Sequence, residues 1–153
     1  VLIQAILRNI SLANLDQFSG FFRIDQDAEL AAATQQGKNL ALKASSLQAP
    51  VSSLSGGNQQ KVVIAKWLLT QPKILIMDDP TRGVDVGAKY EIYKLMNELA
   101  ENGVSIIMIS SDLEEVLGMS DRIVVMHAGR SNGTLDISEA TQEKIMALAT
   151  GIA

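Results

Sequence analysis

Residues Leu54–Asp85 read LSGGNQQKVVIAKWLLTQPKILIMDDPTRGVD, and their pattern predicts a helix followed by a buried strand. Ser55 is a preferred N-cap residue, and the two glycines after it are placed to open a helix that stops before the next proline. The apolar run Ile74–Met77 follows and suits a strand buried on both faces of a sheet. It ends on two adjacent carboxylates, Asp78 and Asp79. This order of helix, buried strand and acidic pair predicts an α/β fold with a ligand site at the end of the strand.

The composition is that of a globular chain and argues against several classes of protein. The chain has 153 residues, of which 47% are hydrophobic and 20% charged, enough for one ordinary core. A formal charge of −4 argues against a nucleic-acid surface over the whole domain, so we expect no nucleic-acid partner. The absence of Cys rules out disulfides and Cys-based metal sites. Apolar runs such as Val104–Ile109 are far shorter than the roughly 20 residues that span a bilayer.

The remainder of the chain is predicted to alternate helices and strands after a helical first part. Val1–Phe22 predicts one or two short helices, and Ile24–Ala44, rich in Ala, Gln and Lys, favours a helix from about Asp27. A second long helix is expected from Val86, capped by Asp85. Three strands are expected after that helix: a buried strand at Val104–Ile109, a strand at Ile123–Met126 and an edge strand at Ser131–Leu135. A short helix is expected at Leu113–Leu117 and a last helix at Glu139–Thr150. This alternation predicts right-handed crossovers and a mostly parallel sheet flanked by helices.

The polar residues at the strand ends and at the glycine turn are the candidate site residues. Ligands gather at the carboxyl ends of parallel strands, where Asp78, Asp79 and the run Ser110–Asp112 follow their strands. Ser55–Gly57 opens a helix, and the free N–H groups of a helix N-terminus form an anion site. Carboxylates for a hard cation and a helix N-terminus for phosphate are the equipment of a nucleotide–magnesium site. Each feature taken alone also has a simpler interpretation, namely a capped glycine turn and a solvated strand end.

Three motifs resemble those of the ATP-binding-cassette (ABC) ATPases. LSGGNQQK resembles the signature motif, ILIMDD the Walker B strand and TRGVD the D-loop. The similarity is closest to the ATP-binding subunits of monosaccharide importers of the ribose, galactose and xylose type. It is strong over Leu54–Gly151 and weaker over Val1–Ser53. It implies a partial P-loop NTPase core of the ABC type, with a helical subdomain at residues 1–70 and the C-terminal part of the core at residues 71–153.

The resemblance also implies roles for individual residues. Ser55, Gly56 and Gly57 would contact the γ-phosphate of ATP held by a second cassette across a head-to-tail dimer. Asp78 would hold Mg²⁺ through water, and Asp85 would communicate between the two nucleotide sites. ATP and Mg²⁺ are therefore the implied cofactors. The residues implied in nucleotide binding are Leu54, Ser55, Gly56, Gly57, Asn58, Gln59, Gln60 and Asp85.

The sequence departs from this family pattern at three points. Asp79 stands where the catalytic glutamate is expected, and the missing methylene retracts the carboxylate by about 1.5 Å. Ser111 stands where the switch histidine is expected, whereas His127 falls in a later turn and is interpreted as a surface residue. No phosphate-cradling Gly-x-x-x-x-Gly-Lys-Ser/Thr loop is present, because the sole Gly-Lys pair, Gly37–Lys38, is followed by Asn39. In this family two cassettes are fused, and the second often has a degenerate site. We therefore expect the C-terminal part of a second cassette, inactive by itself.

The resemblance implies partners and leaves other functions to be considered. The implied partners are a second ATP-binding cassette, membrane permease subunits and, indirectly, a periplasmic or extracellular sugar-binding protein, at the cytoplasmic face of the membrane. Self-association is expected too, because a missing upstream strand would expose a sheet edge. A receiver-like phosphoacceptor domain also has an acidic pair after a buried strand, but that pair should close its first strand. A non-catalytic assembly module would dock a permease through the helical lead-in.

Overall fold

A computed structural model describes residues 1–20 and 23–151 of the chain. The chain divides into two compact units, Val1–Ile107 and Met108–Ala153. Phe21 and Phe22, at the end of the predicted helical lead-in, lie outside the described residues. The subdomain boundary after residue 70 stays a prediction. Within the described ranges, no helix has both the length and the apolar character needed to cross a bilayer.

The first unit is built mainly of helices around an aliphatic core. The sequence-predicted lead-in contains α1 (Ile6–Ser11) and a 3-10 segment (Leu12–Phe18), and the Ala-rich stretch forms α2 (Gln26–Asn39), whose first turn is capped by Asp25. The connector holds a short 3-10 turn (Val51–Ser53). Helix α1 packs against α2 and against the helix that follows the glycine turn, α3 (Gly56–Leu68). The centre of this core is fully buried at Ile6, Ile10 and Ala33.

Helix α3 leads into the strand that carries the acidic pair. Strand β1 (Ile74–Asp78) is followed by α4 (Val86–Glu101) and by β2 (Ser105–Ile109), and β1 and β2 form a two-stranded sheet. Helix α4 packs on α3 and buries Ile92 completely. The α/β class predicted from the sequence is confirmed.

The prediction that β1 and β2 are buried on both faces is wrong for the described chain. Leu75 and Met77 are buried, but the alternate side chains Ile74 and Ile76 are 58% and 64% exposed. In β2, Ile107 is 52% exposed. Successive side chains of a strand point to opposite faces, and the described residues bury only one face of β1. A continuous apolar run allows both faces of a strand to be buried. It does not guarantee that another layer of the protein packs on the second face.

The second unit pairs a β-hairpin with a helix. It contains α5 (Leu113–Met119), β3 (Arg122–His127), β4 (Arg130–Asp136) and α6 (Gln142–Thr150), close to the bounds predicted from the sequence. Strands β3 and β4 pair antiparallel, with an irregularity in the register after Val125. Ile123, Val125 and Ile145 form the core of this unit. Helix α6 ends at Gly151, which adopts a left-handed conformation with φ of 73°.

The single histidine lies at the surface, as predicted, but it also has a structural contact. His127 is the last residue of β3, and its Nδ1 lies 2.6 Å from the carbonyl oxygen of Ala149 near the end of α6. The last carbonyl groups of a helix have no partner within the helix. His127 therefore holds the end of α6 against the hairpin, a role that its place in a turn did not reveal.

A buried ammonium group joins α3 to α4. Lys61 on α3 is 6% exposed, and its Nζ lies 2.8 Å from Oε2 of Glu91 on α4 and donates to the carbonyl oxygen of Ala41 at 3.3 Å. This hydrogen bond from Lys61 holds the pKa of the Glu91 carboxyl below its ordinary value of 4.5. Lys43 lies farther away, with its Nζ 3.9 Å from Glu91 Oε1. The ion pair thus ties the helix after the glycine turn to the helix after the acidic pair.

The two faces of β1 should respond differently to truncation. Leu75→Ala removes a buried side chain and should lower the free energy of unfolding by about 2–4 kcal/mol. Ile76→Ala, on the exposed face of the same strand, should cost at most about 1 kcal/mol, which reflects strand propensity. Urea unfolding of both variants measures the difference. Equal losses would mean that the second face of β1 is covered in solution.

Removal of the Lys61 charge should destabilise the chain in a pH-dependent way. Lys61→Met should lower the free energy of unfolding by about 1 kcal/mol at neutral pH, since a charge-assisted hydrogen bond is lost. Because the pKa of Glu91 is depressed in the folded state, its contribution is complete above 4.5 and is lost as the pH falls below that value. The difference between wild type and variant should therefore shrink in acid, as measured by urea unfolding across pH.

The exposed pair Lys94–Glu98, with an N–O distance of 3.7 Å, provides the matched control. Lys94→Met should change stability by less than about 0.5 kcal/mol, because both side chains are solvated. If Lys61→Met and Lys94→Met cost the same at every pH, the Lys61–Glu91 pair does not hold the two helices together.

Candidate functional site

The turn Ser55–Gly57 opens α3 with exposed backbone. Ser55 occupies the N-cap position with φ of −62° and ψ of 157°, as predicted, but its side chain makes no capping hydrogen bond. The hydroxyl oxygen instead accepts a hydrogen bond of 2.9 Å from Nδ2 of Asn58. The first N–H groups of a helix have no acceptor inside the helix, so they remain available to an anion. Ser55 and Gly56 are exposed, whereas Gly57 is buried.

The polar side chains of the signature stretch bond to backbone groups inside and outside the turn. Oδ1 of Asn58 accepts from the N–H of Lys43 at 2.9 Å, and Nε2 of Gln59 donates to the carbonyl oxygen of Leu54 at 2.9 Å. Gln60 is partly buried on the same turn of the helix. Asn58 and Gln59 therefore hold the turn in place, and Ser55 and Gly56 at its start are exposed. The assignment of the whole stretch to nucleotide binding stays a prediction.

The acidic pair sits where the chain leaves β1. Asp78 is the last residue of the strand and is exposed, so its carboxylate can reach a ligand. Asp79 adopts a left-handed conformation with φ of 44°, which Asp tolerates better than most residues. Its Oδ2 lies 3.7 Å from NH1 of Arg82, and Pro80 between them is fully buried. The backbone therefore turns sharply at Asp79, and its carboxylate already has a cationic neighbour in the same loop.

Asp85 closes this loop by capping the next helix. Its Oδ1 accepts a hydrogen bond of 2.9 Å from the N–H of Ala88, which confirms the predicted cap of α4. Gly83 has φ of 73° and provides the turn that brings the chain to this cap. A carboxylate at a helix N-terminus is also stabilised by the helix dipole. The role of Asp85 in communication between nucleotide sites stays a prediction.

The second unit contains the other predicted site segment, Ser110–Asp112. The side chain of Asp112 caps α5 by accepting from the N–H groups of Glu114 and Glu115. The Ser110 hydroxyl donates to Oε2 of Glu115 at 2.5 Å, and Glu115 is only 4% exposed. Ser111 is exposed, and its place in catalysis stays a prediction. No local pattern in the sequence indicates the Ser110–Glu115 bond, because it depends on how the side chain of Glu115 is buried.

Asp78 is the candidate ligand for a magnesium ion. No group of three or more His, Cys, Asp or Glu residues gathers in the described part of the chain. Mg²⁺ usually keeps several water ligands and takes one or two carboxylates together with phosphate oxygens. The exposed Asp78 carboxylate at the end of β1 fits that requirement.

Comparison with known proteins gives one family for this chain. The family model described as ABC transporter matches residues 3–82, slightly more than half of the chain. A xylose import ATP-binding protein of Thermoanaerobacter pseudethanolicus is 55% identical over 151 residues, and a ribose import ATP-binding protein of Bacillus subtilis is 58% identical over 147 residues. These alignments cover 99% and 96% of this chain but 30% of each relative. The chain thus spans about a third of the length of the curated relatives it matches.

Solved structures show the same fold. A dimeric ATP-binding cassette in a post-hydrolysis state, bound to ADP and phosphate, superposes with a TM-score of 0.74 at 23% identity over 90% of this chain and 58% of that chain. A putative metal-chelate type ABC transporter in an inward-facing conformation gives a TM-score of 0.82 at 16% identity, over 97% of this chain and 59% of that one. At these identities the likeness concerns the fold alone.

The family match covers most of the first unit, including the turn at Ser55, the acidic pair and the start of the loop after it. The high identity to import ATP-binding proteins extends over nearly all the rest. The chain therefore belongs to the ABC transporter family.

Proposed function

We propose that this chain is the C-terminal part of an ATP-binding subunit that energises the import of a monosaccharide. The observation that carries the proposal is the exposed Ser55–Gly56 turn at the N-terminus of α3. It occurs in a chain more than half identical to proteins named for xylose and ribose import. Membership of the ABC transporter family favours this function over that of a receiver domain.

The glycine turn would act on ATP held by a second cassette. The first N–H groups of α3 and the positive end of its dipole attract negative charge, an effect worth typically about 0.3–1 kcal/mol per charge at an exposed site. Because the Ser55 hydroxyl accepts from Asn58, its own proton is left to donate to a phosphate oxygen. These modest interaction energies suit a surface that completes a nucleotide site rather than a surface that binds the nucleotide alone.

The end of β1 would serve the other half of a nucleotide site. Asp78 would hold Mg²⁺ through water, and the bound ion neutralises charge on the phosphates during transfer. Asp79 would take the place of the catalytic base, but its side chain is one methylene shorter than that of glutamate, which retracts the carboxylate by about 1.5 Å. Misplacement of a catalytic group by about 1 Å can cost on the order of 100-fold in rate. Ser111, in place of the switch histidine, would add little proton transfer at neutral pH.

The proposal includes partners and a place in the cell. The second cassette supplies the phosphate-binding loop, and the helical part at residues 1–70 would dock permease subunits at the cytoplasmic face of the membrane. A sugar-binding protein outside the membrane would contribute indirectly through the permease. The exposed face of β1, with Ile74 and Ile76, supports self-association of the chain when it is prepared alone.

The chain by itself should hydrolyse ATP slowly. No Gly-x-x-x-x-Gly-Lys-Ser/Thr loop is present in its sequence, so ATP lacks its main cradle. Turnover of MgATP by the purified chain should stay well below about 1 per second, the low end for typical enzymes. Phosphate release measures it. A rate at or above that value would overturn the assignment of the turn to a site completed by another cassette.

Ser55 should matter once the chain is placed in a whole subunit. In a chimera, this chain replaces the matched segment of the Bacillus subtilis ribose import ATP-binding protein, which is 58% identical to it. Ser55→Ala should reduce MgATP turnover by about 10- to 100-fold, as expected for the loss of one hydrogen bond to a charged group.

The neighbouring Ser52 is exposed and lies outside the turn, so Ser52→Ala is the matched control and should leave turnover unchanged. Circular dichroism of the chimeras establishes that both variants are folded. If Ser55→Ala hydrolysed MgATP as fast as Ser52→Ala, the signature turn would not take part in the nucleotide site.

A further inference from the structure

The first turns of α3 and α4 approach each other more closely than side chains normally allow. A Cβ atom built on Gly57 would lie 2.5 Å from Cβ and 3.7 Å from Cα of Ala88. At the neighbouring position, a Cβ on Gly56 would lie 3.3 Å from the carbonyl oxygen of Gly83. The glycine turn is therefore packed directly on the loop and helix start that follow the acidic pair.

We propose that Ala88 is a positioning residue for the nucleotide-facing turn. Its methyl group fills the space that the absent side chain of Gly57 leaves open, so that the turn Ser55–Gly57 and the segment 83–88 move as one body. This inference rests on the function proposed above, because it is the placement of Ser55 and Gly56 toward a phosphate that the contact would control. The second glycine thus serves packing within the chain, whereas Ser55 and Gly56 face the ligand.

Burial supports this division of labour. Gly57 is buried, whereas Ser55 and Gly56 are exposed. A glycine within a helix is less favourable than alanine, so alanine would be the better residue at position 57 if there were room for it. The 2.5 Å approach to Ala88 removes that room, because its Cβ is fixed to the backbone and cannot rotate away.

The position of Ala88 is itself fixed on both sides. Its N–H donates to Oδ1 of Asp85 at 2.9 Å, which anchors the first turn of α4 to the end of the loop. About one turn farther along each helix, the buried Lys61 pairs with Glu91 at 2.8 Å. Helices α3 and α4 are thus held together at two places. One is the steric contact between their first turns, and the other is the ion pair one turn farther along. A shift of the loop that begins at Asp79 would be passed to the turn at Ser55 through these contacts.

A size exchange between the two positions tests the proposal in the full 153-residue chain. Gly57→Ala should raise the unfolding equilibrium constant by about ten-fold or more, the usual effect of overpacking. Amide hydrogen exchange should accelerate by about ten-fold or more in residues 55–59 and 83–89, where the contact is made. Adding Ala88→Gly to Gly57→Ala should restore both quantities to within about three-fold of wild type, since the lost methyl group makes room for the new one.

Gly118 in α5 is the matched control, because a Cβ at that position would meet nothing within 4 Å. Gly118→Ala should leave stability unchanged or increased, and it should not alter exchange at residues 55–59. If Gly57→Ala proved as harmless as Gly118→Ala, or if Ala88→Gly gave no rescue, the proposal would be overturned. Should Gly57→Ala alone fail to fold, the double variant still decides: a folded double variant supports the contact and an unfolded one refutes it.

The chimera separates positioning from simple stability. Gly57→Ala should lower kcat for MgATP by about ten-fold or more with little change in KM, because the nucleotide is held mainly by the other cassette, and the double variant should recover kcat. Equal loss of kcat in the single and double variants would refute the positioning role. A failure of the proposed function would be seen separately, because Ser55→Ala would then leave MgATP turnover unchanged. Such a failure would not alter the hydrogen-exchange rates measured on the isolated chain.

Discussion

The packing of α3 on α4 is the constraint on which the rest of the candidate site depends. The two helices follow the glycine turn and the acidic loop respectively, so their contact places these two segments side by side. Close approach requires a residue without a side chain at position 57 and a small one at position 88. The Lys61–Glu91 pair then fixes the helices behind that contact. A buried ammonium ion is costly unless it is paired and hydrogen-bonded, and both Glu91 and the Ala41 carbonyl meet that need.

The polar residues of the site divide into those that hold the backbone and those that face solvent. Asn58 and Gln59 bond within the turn, and Asp85 caps α4, so these side chains are committed to structure. Ser55, Gly56 and Asp78 present hydroxyl, N–H and carboxylate groups to solvent. Each of these groups attracts a ligand only weakly in water. Groups that bind so weakly fit the proposed role, in which a second cassette holds the nucleotide.

Local signals predicted the order of elements well. The start of α4 was recognisable because Asp85 places an acceptor where the first N–H groups need one. The caps of α2 and α5, Asp25 and Asp112, were found only in the structure. The apolar run Ile123–Met126 located β3, since such a run is a local signal. Ser55 shows the limit of such rules. It occupies the N-cap position, yet its hydroxyl oxygen accepts from Asn58 instead of a backbone N–H, because a competing donor lies three residues away.

The exposure of Ile74 and Ile76 shows a different limit. Their apolar character predicted burial, but burial depends on whether another layer lies against that face, and the described chain buries only one face of β1. The bonds of Lys61, Glu115 and His127 were likewise invisible in the sequence. Lys61 on α3 pairs with Glu91 on α4, and buried Glu115 accepts a hydrogen bond from Ser110. His127 contacts the carbonyl oxygen of Ala149, which is 22 residues away in the sequence.

The order of helices and strands, the cap of α4 by Asp85 and the motifs that indicate the ABC family could all be read from the sequence, because each of them depends on neighbouring residues. Only the tertiary structure decided that Gly57 is buried against Ala88, that Ser55 and Gly56 remain exposed, and that Lys61 joins the two helices. Those outcomes arise from contacts between residues about 30 positions apart, and the distances that govern them are set by how the helices pack, which no local pattern records.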